Sequence, residues 1–111
     1  MSEHKKERLL TAIEHAAAEF INRESNRKSL ITVTRATFRE NEKTVNVFIS
    51  VIPDTEMGAA IDFLSRQRDS FLEFLRRKIR TRTLPHVYFL ADPYGAGVDP
   101  VIDYGNTKKE V

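Results

Sequence analysis

Between Arg76 and Arg82 the chain reads RRKIRTR, five cations with no acid among them. Cations at that density hold anions: a guanidinium forks across two oxygens of a phosphate or carboxylate, and an ammonium acts as a point charge. The whole chain carries 18 Lys and Arg against 16 Asp and Glu, so setting these five aside leaves 13 against 16. Its basic character is therefore local. Glu73 can pair with Arg76 at i+3 or Arg77 at i+4, which leaves part of the stripe as ordinary solvated helix surface and uses only one cation. Arg66 and Arg68 lie a few turns upstream on the same helical region and extend the set of anion-binding candidates.

Other reactive side chains are scattered. His4, His15 and His86 have no ligand spacing, and no metal site is expected. Asp92, Asp99 and Asp103 lack the regular spacing and Gly of a calcium loop. Gly95-Ala96-Gly97 lacks the third Gly and following helix of a phosphate fingerprint. Glu14 and Glu19 read as helix-surface acids, and no serine sits in a strand-turn-helix elbow, so an enzyme is not expected. Phe48, Tyr88, Tyr94 and Tyr104 have the rings to stack on bases. In alternating strands, however, such rings more commonly serve the core or the sheet surface.

Composition sets the frame. The 111 residues, 41% of them apolar, suffice for one domain with one core. A formal charge of +2 does not by itself separate a nucleic-acid binder from an ordinary protein. With no cysteine, neither disulfides nor thiolate metal sites are available. The start, Met1 to Arg8, is charged and lacks an apolar core, and no run reaches the roughly 18 apolar residues of a membrane span. A soluble, cytoplasmic monomer is the expectation.

The elements that must position these cations follow from periodicity. Leu9, Leu10, Ile13, Ala16, Ala17, Phe20 and Ile21 form one stripe at 3.6-residue spacing, predicting a helix from Ser2 or Glu3 to Asn22. Leu30 to Phe38 is rich in β-branched residues, and Thr44 to Ile52 alternates Val45, Val47, Ile49 and Val51 with Asn46, Phe48 and Ser50; both read as strands. Arg39 to Lys43 joins them as an antiparallel hairpin, and alternation slips near Arg35, which predicts a bulge. Helical spacing resumes after Pro53 and Asp54 and stops before Pro85. A continuous helix from Thr55 to Arg82 would run about 42 Å, too long for a domain of this size, so a bend or break at Ser65 to Ser70 is expected. Val87 to Leu90 reads as a last short strand. A helical crossover between it and the second strand is what parallel pairing requires. The result is an α+β fold with a three-stranded mixed sheet and helices on one face. A domain over residues 1–91 and a C-terminal loop and tail over 92–111 are predicted.

That order of elements is similar to type II KH-like domains. The run Arg80-Thr81-Arg82-Thr83-Leu84-Pro85-His86-Val87-Tyr88-Phe89 resembles the ribosome-binding factor A family, whose pattern is Arg-x-Arg, two mostly apolar positions, Pro, then a strand ending in Phe. Arg23 and Glu24, Thr32 and Val33, and Val45 to Ser50 add weaker matches, in register over roughly residues 5 to 91. Two departures stand out. The family's Asp-Pro-Arg loop is shortened to Ser25, Asn26 and Arg27. Its Ala-x-Gly helix interruption becomes Gln67, Arg68 and Asp69, with no Gly to let backbone approach a phosphate. The resemblance implies a noncatalytic factor, without cofactor or small-molecule substrate, that binds 16S rRNA in the small-subunit precursor and assists its maturation. On that reading Arg76, Arg77, Lys78, Arg80 and Arg82 would contact phosphates, and Arg66 and Arg68 would replace backbone amides at the helix corner. The alternative is a KH-like RNA-binding or protein-interaction module with a different partner, its basic helix set in an acidic groove.

Overall fold

A computed structural model describes residues 3–25 and 28–93. In chain order these form helix α1 (Glu3–Glu24), strands β1 (Leu30–Phe38) and β2 (Thr44–Ile52), a 3-10 turn (Asp54–Glu56), helices α2 (Met57–Arg66) and α3 (Arg68–Lys78), and strand β3 (His86–Ala91). Of the predicted loop and tail, residues 94–111 lie outside the described part, together with Tyr94, Tyr104, Asp99, Asp103 and Gly95 to Gly97. Among the described residues, no helix is long and apolar enough to cross a membrane.

The apolar stripe of α1 is the face it buries: Ile13, Ala16, Ala17, Phe20 and Ile21 are all inside. The helix runs past the expected end at Asn22, and the Ser25 N–H still donates to the Ile21 carbonyl at 2.9 Å. In β2 the alternation is equally clean, with Val45, Val47, Ile49 and Val51 facing the helices. Strand order is β1-β2-β3, with β1 antiparallel and β3 parallel to the central β2. This is the mixed sheet that the helical crossover demands. Rings tie the layers together: Phe20 of α1 meets Phe71 of α3 at 5.4 Å, and Phe71 meets Phe89 of β3 at 5.5 Å, both edge to face.

The hairpin turns without glycine because Glu42 takes the left-handed conformation, φ 56°. The Arg39 N–H donates to the Thr44 carbonyl at 2.8 Å, and the Glu42 N–H to the Arg39 carbonyl at 2.9 Å. Lys6 of α1 reaches across to Glu42 at 2.5 Å and fixes the turn against the helix. The expected bulge is present as a register shift between Val33 and Arg35. Strict alternation from Ile31 and Val33 would point Arg35 into the core. The extra residue instead turns Arg35 outward and leaves Ala36 buried opposite Val47.

The crossover breaks at Gln67, inside the expected stretch, and the physical need is visible: a helix of about 42 Å exceeds the molecule's longest extent of 38 Å. Gln67 sits at φ −93°, ψ 8°, in the bridge region on the negative-φ side, so no Gly is required. One expectation is corrected. The helical region ends at Lys78, not at Arg82; Ile79 is already extended, at φ −123° and ψ 136°. Half-buried Ile79 and Leu84 and buried Pro85 pull the connection back along the domain toward the start of β3. Thr81 and Thr83 offer little helix propensity against that pull.

Candidate nucleic-acid interface

The last turn of α3 carries Arg76, Arg77 and Lys78, where cations also favour the negative end of the helix dipole. Glu73 pairs with Arg76 at 3.0 Å, the expected local pair. Lys78 bridges to Glu19 of α1 at 3.1 Å, and its ammonium lies 5.2 Å from the Phe74 ring centre. Arg23, from the last turn of α1, covers the same ring at 5.3 Å. Packing α1 on α3 thus adds a cation that is distant in sequence. Arg77, Arg80 and Arg82 are exposed and have no acidic partner among the described residues. Arg80 and Arg82 stand beyond the helix end, so these cations line a bend and not one helical face.

The corner between α2 and α3 separates its two candidates. Arg66 is exposed and pairs loosely with Asp62 at 3.8 Å, one turn back on α2. Arg68 turns the other way: its Nε–H donates to the Val87 carbonyl at 2.8 Å, and its guanidinium lies 4.7 Å from the Tyr88 ring centre. It closes the free edge of β3 over the start of α3. Arg66 and Arg76 are separated along the two helices by about 15 Å at helical rise. The seven candidates therefore form a basic bend, a corner and an edge tie, not a single patch.

Spacing along the chain did not reveal three further arginines, Arg23 as a member of the bend, and Arg35 and Arg39 on the sheet. Only the bulge signal touched Arg35, and nothing in the pattern reported that Arg39, at the hairpin, would lie 4.6 Å from the Tyr88 ring centre. Glu14 also differs from the surface acid expected: it is half-buried, and its carboxylate accepts the Ala36 N–H at 2.9 Å, just past the bulge. Glu19 is exposed and serves Lys78. Among the described residues, no three His, Cys, Asp or Glu side chains gather as a metal site would need. A broad concavity runs between the end of α1 and the β1 edge, lined by Ile21, Leu30, Ile31, Val33 and Ile52, with Glu19, the partner of Lys78, also on its wall.

No protein-family model matches the chain. In sequence it is similar to ribosome-binding factor A of Carboxydothermus hydrogenoformans, 28% identical over 116 aligned positions that take in 99% of this chain and 91% of that protein. In structure it is similar to ribosome-binding factor A of Thermus thermophilus, with a TM-score of 0.68 and 26% identity over 78% of this chain and 93% of that one. The Thermus protein as fitted into an electron-microscopy map of its complex with the 30S subunit aligns with a TM-score of 0.63, at 26% identity, over 73% of this chain and 88% of that one. The family resemblance carried by residues 5 to 91 and the KH-like fold are both borne out.

Proposed function

We propose that this relative of the ribosome-binding factor A proteins binds the small ribosomal subunit through its 16S rRNA and assists subunit maturation and rRNA processing without catalysing a reaction. The observation that carries the reading is the shared fold, at 26% identity, with a Thermus protein that has been fitted on the 30S subunit. The basic bend supplies matching chemistry. Exposed Arg77, Arg80 and Arg82 present guanidiniums able to fork onto phosphate oxygens, while Lys78 and Arg23 add charge beside them. Such contacts position a protein on RNA and carry no sequence information; shape and splayed bases would supply that. Binding energy does the work: a factor that prefers the immature subunit shifts its population toward a conformation suited to processing. A cytoplasmic site of action follows from that partner.

Cosedimentation with small-subunit particles on sucrose gradients tests the reading. Comigration is expected at low salt and weakens at high salt. Replacing Arg76, Arg77, Arg80 and Arg82 together with Ala should abolish it while circular dichroism stays unchanged. A wild-type protein that fails to comigrate at low salt would sink the proposal, and a quadruple variant that still comigrates would remove the basic bend from it.

A further inference from the structure

The outer face of the sheet carries a second arrangement of cations, unlike the first because its guanidiniums lie on rings at the sheet surface, whereas Phe74, under Arg23 and Lys78 in the bend, is buried. Arg35 covers Phe48 at 4.3 Å, and Arg39 and Arg68 both reach Tyr88, at 4.6 and 4.7 Å. The contributors come from three places in the fold. Arg35 is on this face only because of the β1 bulge, Arg39 is at the start of the hairpin, and Arg68 arrives round the β3 edge from α3. Arg39 is further set by its Nε–H donating to Asn46 Oδ1 at 2.9 Å, and Asn46 is the register partner of Tyr88. Among the described residues no helix covers this face, and Tyr88 is 38% exposed.

A solvent-facing sheet needs none of this. Its ordinary solution is short polar side chains, as at Thr32, Thr37 and Ser50. Rings topped by guanidiniums instead offer flat, cationic surfaces on which unstacked bases lie, with charge for the phosphates between them. Phe48 and Tyr88 stand on neighbouring strands and two residues out of register, about 8 Å apart by strand spacing and rise. Asp92 faces Arg35 at 3.7 Å, whereas Arg39 and Arg68 have no acidic partner among the described residues. The net character of the face is therefore positive.

We infer that the outer sheet face, through Tyr88 with Arg39 and Phe48 with Arg35, is a stacking platform for unpaired nucleotides of RNA, distinct from the basic bend. The inference rests on the RNA-binding reading above and adds a second contact to it. Base stacking gives the platform a signature the bend lacks: removing a ring weakens binding without removing a charge.

Binding of a short oligouridylate to the whole chain, followed by fluorescence anisotropy across a salt series, tests this. Tyr88→Leu keeps apolar bulk and loses the π face; it should weaken binding roughly ten-fold with the salt slope unchanged. Tyr88→Phe should bind as the wild type does, and Arg39→Gln should weaken binding and flatten the slope. Circular dichroism melts exclude unfolding of each variant. Equal binding by Tyr88→Leu and wild type, no binding by either, or equal displacement of the RNA by polyglutamate would overturn the platform. Cosedimentation of the same variants separates the two readings: a wild type that comigrates with small subunits while Tyr88→Leu keeps full oligouridylate affinity leaves the proposed function standing and removes the platform.

Discussion

Two carboxylates show how differently equal side chains act here. Glu42 is held below the usual carboxylate range by its hydrogen bond from Lys6, and the same bond holds Lys6 above the usual lysine range. The lowered Glu42 value means its contribution to stability is fully present above the unfolded value near 4.5 and is lost as pH falls through the folded one. The raised Lys6 value works oppositely, present at neutral pH and lost only as pH rises past the ordinary lysine value of 10.5. Both groups are solvated, so the effect is small and screened by salt. Stability of Glu42→Gln measured against wild type should therefore differ slightly at neutral pH and low salt, and converge as pH falls through the lowered Glu42 value. A gap that persists at low pH would trace to the turn backbone and not to the ion pair. Glu14 is the stronger case because its partner is a backbone N–H of buried Ala36, beside the bulge. Glu14→Ala orphans that donor and should cost about 1–3 kcal/mol in urea unfolding, with Glu14→Gln losing less because it keeps an acceptor oxygen. An unchanged midpoint for the alanine variant would show that another group takes over Ala36.

At the scale of elements, the periodic signals were legible and the junctions less so. The α1 stripe, the β2 alternation and the slip at Arg35 each report local geometry, because side-chain direction follows from the backbone period alone. The end of α3 did not, since Ile79 leaves the helix to bury itself on the way to Pro85, and that gain depends on where β3 lies. Gln67 shows the reverse situation. The lost Gly of the related pattern takes away backbone approach to a phosphate, but the junction itself needs only a negative φ of −93°. Gln67→Gly should accordingly destabilise the protein, by about 1 kcal/mol or less, through added freedom of the unfolded chain. A gain in melting temperature would mean the junction is strained after all.

At the scale of the molecule, three arginine groups sit at separate places: the bend after α3, the α2–α3 corner and the outer sheet face. Among the described residues the bend has three exposed guanidiniums without acidic partners, Arg77, Arg80 and Arg82, against Arg39 and Arg68 on the outer face. If the bend carries the phosphate contacts, Arg77→Ala, Arg80→Ala and Arg82→Ala combined should flatten the dependence of log affinity on log salt by about 0.7 to 0.9 for each phosphate no longer neutralised. Arg68→Ala should act otherwise, lowering stability by freeing the Val87 carbonyl at the β3 edge. A triple variant with the wild-type slope would move the electrostatic contacts elsewhere on the surface.

By itself, the sequence determined the order of elements, the parallel crossover, the need for a break in it and the density of charge from Arg76 to Arg82, because each is a local or length-limited property. The tertiary structure decided what each arginine does. It sent Arg68 to a strand edge, drew Arg23 to the bend, and stacked Arg35 and Arg39 on Phe48 and Tyr88. A guanidinium at the end of a long flexible stem finds its role from whatever the fold brings within reach, and spacing along the chain holds no record of that.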